Sequence, residues 1–180
     1  MEAWAEKEFK IFDLFKNKWA LVSAGNAEHY GSCTVGWGSL GTLWTRPGKE
    51  DGSVATVYIH PARYTCGILK ENDLFTVSFY PQEYKKALGY MGSHSGRNED
   101  KAKAAGLTPV DINGSVTFKE AELTFVCRKV YQHQFAKEDI AQDVQEYYKD
   151  NPRPYPVNEN GEWEPHWVFV GDIIGVEDKR

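Results

Sequence analysis

Apolar positions along this chain change their period several times, and each change marks an element. Residues 3–18 place Trp4, Phe9, Ile11, Phe12, Leu14 and Phe15 near a three- and four-residue spacing. That spacing predicts a short amphipathic helix, or an N-terminal arm packed on a partner. A short apolar run follows at 20–23, closed by the turn signal Gly25-Asn26. Residues 33–44 carry three glycines among Val, Leu, Trp and Thr, a composition of strands that bend or admit a ligand against bare backbone. Alternation at 54–59 (VATVYI) and 74–80 (LFTVSFY) predicts two strands, with a short helix over 62–70 between them.

Residues 81–106 differ in kind. They read as a helical hairpin with a Ser/Gly turn, ending on a glycine C-cap. Beyond it, 116–118 and 121–131 read as a hairpin of strands, 138–149 as a surface helix with an acidic first turn, and 151–165 as a Pro- and Asn-rich loop. Residues 166–176 (HWVFVGDIIGV) form the final strand, with a possible break at Gly171. No internal repeat or flexible linker divides the 180 residues. About six or seven strands with helical insertions predict a closed Greek-key β-barrel.

Composition narrows the class. Aromatic residues reach 14%, which suits either an all-β core or a pocket for a flat conjugated ligand. A net charge of −5 argues against a nucleic-acid or anionic-membrane surface. The charged N-terminus and the lack of any 20-residue apolar run predict a cytoplasmic protein without a membrane span. Cys33, Cys66 and Cys127 are widely spaced and read as reduced thiols. The five histidines show no metal-ligand spacing, so no metal site is expected.

Gly36-Trp37-Gly38-Ser39-Leu40-Gly41 matches G-x-G-x-x-G, but strand-forming residues and then Pro47 follow where a dinucleotide fingerprint needs a helix. The glycines instead let a planar ring or a neighbouring strand lie on the main chain, with Trp37 beside it. The loop holding Ser93, His94, Ser95 and Arg97 leads toward a helix beginning near Asn98, with Lys101 one turn on. It reads either as a phosphate site or as an ordinary capped helix with solvated charges. Arg63-Tyr64-Thr65, at a strand-to-helix turn, is a second anion-friendly position.

Taken in order, Thr34-Val35-Gly36-Trp37-Gly38, Pro61-Ala62-Arg63-Tyr64-Thr65, Phe75-Thr76-Val77-Ser78-Phe79, Leu88-Gly89-Tyr90-Met91-Gly92 and Ser95-Gly96-Arg97 with Asp100-Lys101 resemble the flavin reductase-like FMN-binding split-barrel family, which includes flavoredoxin. The final strand, Val170-Gly171-Asp172-Ile173-Ile174-Gly175-Val176, resembles the family's closing strand. The resemblance implies one domain over 1–180, with a core of about 19–135 plus 166–176. It further implies a six-stranded Greek-key split β-barrel, a homodimer, and FMN bound without a covalent link. The ring system would lie along Thr34, Val35, Gly36 and Trp37. The ribityl phosphate would meet Arg63, Tyr64, Thr65, Ser95, Arg97 and Lys101, with Ser93 and His94 in the same loop. Members of the family take hydride from NADH or NADPH or shuttle electrons between redox partners, and they need no catalytic side chain because the flavin carries the chemistry. The expected function is therefore an NAD(P)H-dependent flavin reductase, with a flavoredoxin-like electron carrier or a non-catalytic flavin-binding module as alternatives. Many relatives carry Asn at the position of Gly31 and Met at that of Cys33, and relatives often carry Arg at that of His60. Residues 138–165 match nothing in that pattern, and they either cover the flavin or decorate the surface.

Overall fold

A computed structural model of the chain describes residues 3–151 and 156–180. Its frame is one antiparallel seven-stranded sheet. The strands are β1 (Ala20–Gly25), β2 (Tyr30–Val35), β3 (Gly38–Thr42), β4 (Ser53–Ile59), β5 (Leu74–Phe79), β8 (Leu123–Gln134) and β9 (Trp167–Asp178). They run in the order β2-β1-β5-β8-β9-β4-β3, so the sheet has one strand more than the six expected. The extra strand arises because residues 33–44 divide into β2 and β3 at a bend at Gly36-Trp37. The helices are α1 (Tyr64–Glu71), α2 (Lys85–Ser93), α3 (Lys101–Ala104) and α4 (Gln142–Asp150). Among the described residues, no helix is long and apolar enough to cross a membrane, and no His/Cys/Asp/Glu group is placed to hold a metal.

The sheet curls around a core from both ends of the chain, including Phe15, Val22, Val57, Phe75, Phe125 and Phe169. A second cluster joins Leu88 and Met91 of α2 to Leu21 and Phe118, which fixes α2 against the sheet edge. The amphipathic N-terminus is not one helix. It is a 3-10 turn at Ala3–Glu6, then an extended stretch, then helical turns up to Lys18 that bury Leu14 and Phe15 but leave Phe12 90% exposed.

The expected pairing of 116–118 with 121–131 does not occur. β7 (Ser115–Phe118) pairs instead with β6 (Pro109–Ile112) through Asn113-Gly114, both at positive φ, the primed two-residue turn that suits hairpin twist. Hydroxyls dock this hairpin on the sheet. Thr76 Oγ1 donates to Val116 O at 2.6 Å, and Ser78, Thr117 and Thr124 share bonds of 2.8–3.2 Å. β9 runs unbroken through Gly171. A Cβ there would lie 2.5 Å from the Phe75 ring and 2.7 Å from Cys127 Cβ, so glycine permits close packing and does not end the strand. The β8–β9 ladder shifts register twice, at Val126/Cys127, where Ile174 of β9 is skipped, and at Lys129/Tyr131, where Val130 of β8 is skipped.

Candidate functional site

Four segments converge beside β2: the β2–β3 bend, the β4–α1 turn, the α2–α3 connection and the 135–166 segment. Gly31 lets α1 seat on β2, since a Cβ there would lie 2.9 Å from Thr65 Cα and from Ile68. Gly31 therefore serves helix packing. On β2, Thr34 Oγ1 donates to Leu88 O of α2 at 2.6 Å, so its hydroxyl anchors the helix.

The resulting trough has three parts joined by shared residues. At one end a small cavity of about 90 Å³ is lined by Cys33, Arg63, Tyr64 and Thr65 from one side and by Ser93, His94, Ser95 and Lys101 from the other. Cys33 and Arg63 lead into a larger hollow of about 420 Å³ along Thr34, Val35, Gly36 and Trp37, closed by Trp19, Tyr58 and His60. Trp37, Tyr58, His60, Tyr148 and His166 pass on into an apolar chamber of about 450 Å³. Of the residues expected to form the site, all but Arg97 line the first two parts. Arg97 stands at the rim, donating to Ala62 O at 3.1 Å with its guanidinium 5.4 Å from the Tyr64 ring.

The small cavity is cationic. Arg63 donates to Gly92 O at 2.6 Å, which ties the β4–α1 turn to the end of α2. Lys101 is only 6% exposed, and its ammonium donates to Met91 O at 2.7 Å and His94 O at 3.2 Å. Burial pushes its pKa below the usual lysine value. Among the described residues no carboxylate lines this cavity, so its lining suits an anionic ligand. The expected helix from Asn98 is not there: α3 has four residues and begins at Lys101, with Asp100 Oδ1 accepting from Lys103 N. The site thus rests on side-chain cations rather than on a helix terminus. His94 stacks on Tyr90 at 3.7 Å, and Ser93 Oγ bonds back to the Gly89 and Tyr90 carbonyls.

The middle of the trough holds two neutral histidines. His60 is 3% exposed, and its Nδ1 accepts from Ala62 N at 3.1 Å, which puts the proton on Nε2, toward the Glu164 backbone. His166 lies 5.2 Å from it, edge to face, and 4.8 Å from Trp37. Burial, with Arg63 adding repulsion, lowers His60 to about 4. Burial also lowers His166 to about 4, helped by His60 and then Arg63. Cys33 is buried beside Thr65, and desolvation raises its pKa although Lys101 and Arg63 oppose it.

Sequence reasoning missed Tyr58, Tyr148, Trp163 and His166. Tyr58 sits in an alternating strand that gives no hint of what it faces. The other three depend on how 138–166 folds back over the sheet, and no period encodes that.

A family model described as flavin reductase like domain matches residues 13–180. No curated protein sequence matches the chain. Among solved structures, the FMN-binding protein from Thermus thermophilus with bound 1-cyclohex-2-enone is similar at TM-score 0.65 and 21% identity, covering 97% of this chain and 78% of that one. Flavoredoxin from Methanosarcina acetivorans gives TM-score 0.64 at 20% identity, covering 96% and 75%. The flavin reductase PheA2 gives 0.60 at 10%, covering 89% and 78%. The chain belongs to the flavin reductase-like domain family.

Proposed function

We propose that this member of the flavin reductase-like family is a flavoprotein oxidoreductase that holds FMN along the trough and takes electrons from NADH or NADPH. The observation that carries the proposal is the order of the three joined cavities: a buried cationic end, an aromatic and bare-backbone middle, and an apolar chamber beyond. The donor set fits a ribityl phosphate and a flat ring. Arg63 and Lys101 supply positive charge, Thr65 and Ser95 supply hydroxyls, and Val35 and Gly36 offer a smooth edge.

When bound, FMN supplies the two-electron chemistry, and the chain's part is to bind, orient and exclude water. Arg63, held by Gly92 O, and Lys101, held by two carbonyls, keep their charges fixed in advance of binding. His60, locked in one tautomer, adds no charge to the hollow near neutral pH. The proposal extends to a single cytoplasmic domain working as a homodimer, as the family resemblance implies.

A second reading, an electron carrier without a nicotinamide site, draws support from the charge of the covering segment. Residues 138–165 hold eight acidic and two basic residues, a net −6 beside the trough, and this repels a dinucleotide. Anaerobic visible spectra of the FMN-loaded protein separate the two readings. Bleaching by NADH or NADPH within turnover-like times supports the reductase, and a flavin that stays oxidised supports the carrier.

A further inference from the structure

The chain as a whole carries −5, and residues 138–165 alone carry −6. The remainder is therefore close to neutral at +1, and the excess negative charge belongs to a segment that supplies part of the apolar chamber's wall. Two of its acidic residues, Asp139 and Glu164, are among those that line the chamber, together with no lysine or arginine among the described residues. Neither has an ion-pair partner among the described residues. The other walls are aromatic. Tyr58 and Phe135 stack at 5.8 Å, and Trp37, Tyr148 and Trp163 follow one another at 6.4 and 6.0 Å. Lys137 is held at 2.9 Å by Glu162 outside the lining, with its ammonium 5.4 Å from the Trp163 ring.

Aromatic faces present the negative side of their quadrupole, so a cage of them with unpaired carboxylates favours a positively charged ring or alkylammonium and rejects anions. We propose that this chamber is a binding site for a small ring-bearing organic cation, such as an N-alkylated heteroaromatic. Binding requires only the chamber. That its occupant serves as the redox substrate rests on the flavoprotein reading above.

The test is calorimetric titration of the full-length protein, with and without FMN, using three ring compounds of similar size at neutral pH: N-methylquinolinium, neutral quinoline and anionic quinaldate. The expected order is cation over neutral by about tenfold, with no measurable binding of the anion. The double variant Asp139→Asn/Glu164→Gln should lose most of the cation's advantage while still binding quinoline, which shows that the chamber remains folded. Equal or weaker binding of the cation than of quinoline overturns the proposal. So does a preference for quinaldate, the absence of binding by all three, or a cation preference that the double variant retains. FMN titration of the same preparation is a separate readout: failure there removes the flavoprotein reading and leaves the cation site standing.

Discussion

Replacing Lys101 by Met removes a buried charge while keeping an unbranched apolar stem in its channel. The ammonium has three donors, and two are spent on Met91 O and His94 O, which leaves one for a ligand in the small cavity. A hydrogen bond to a charged group contributes about 1.5–3 kcal/mol, so FMN should bind between about 10- and 150-fold more weakly. Riboflavin has the same ring and ribityl chain but no phosphate, and its affinity should change little. The two carbonyls also lose their donor, which costs about 1–3 kcal/mol of folding stability and is read separately by thermal unfolding of the apoprotein. The decisive quantity is the ratio of FMN to riboflavin affinity, measured by quenching of flavin fluorescence. If Lys101→Met weakens both flavins alike, the lysine acts only through the fold, and the assignment of the small cavity to phosphate is refuted.

Arg97→Ala should weaken FMN by less than about fivefold, because an exposed charged contact contributes only about 0.2–1 kcal/mol and the guanidinium lies at the rim; a loss as large as that of Lys101→Met in the same titration would move the phosphate outward. The His60–His166 pair predicts acid lability. The unfolded chain takes up protons near 6.5, while the folded pair resists until about 4. Stability is therefore complete above the unfolded value and falls as pH drops between the two, by about 3 kcal/mol for His60 alone. Denaturant melts across that window should show the slope, and His60→Gln should flatten it. Gly171→Ala should destabilise by about 1–3 kcal/mol through overpacking against Phe75 and Cys127; an unchanged melting temperature would contradict the close approach of β9.

Local chemistry made much of this molecule readable. The Gly25-Asn26 turn signal is a real reversal, with Gly25 at φ +105° and Asn26 Oδ1 accepting from the Glu28 and His29 amides. Strand rather than helix does follow Trp37, as Thr42 and Pro47 implied. The misreadings share a cause. Residues 109–118 hold an Asn-Gly turn between short strands, yet the longer apolar run at 121–131 dominated the pattern and was given the wrong partner. Asn98 is a good cap by type, but Asp100 immediately precedes α3 and accepts from Lys103 N instead. The expected site residues could be gathered because most of them bracket turns between recognisable elements. The chamber could not, since Tyr148, Trp163 and His166 meet Trp37 only through a long connection whose course depends on tertiary packing. Part of the Pro-rich loop expected there, residues 152–155, lies outside the described residues.

The central claim is that the trough along Thr34 to Trp37, ending at Arg63 and Lys101, is a flavin site. Its most direct test is titration of the purified apoprotein with FMN, followed by visible absorbance and by quenching of tryptophan emission. Trp19 and Trp37 both face the hollow. Saturable binding with a shifted flavin band, quenching with the same midpoint, and a preference for FMN over riboflavin are the predicted result. An unperturbed flavin spectrum at saturating FMN would contradict the account.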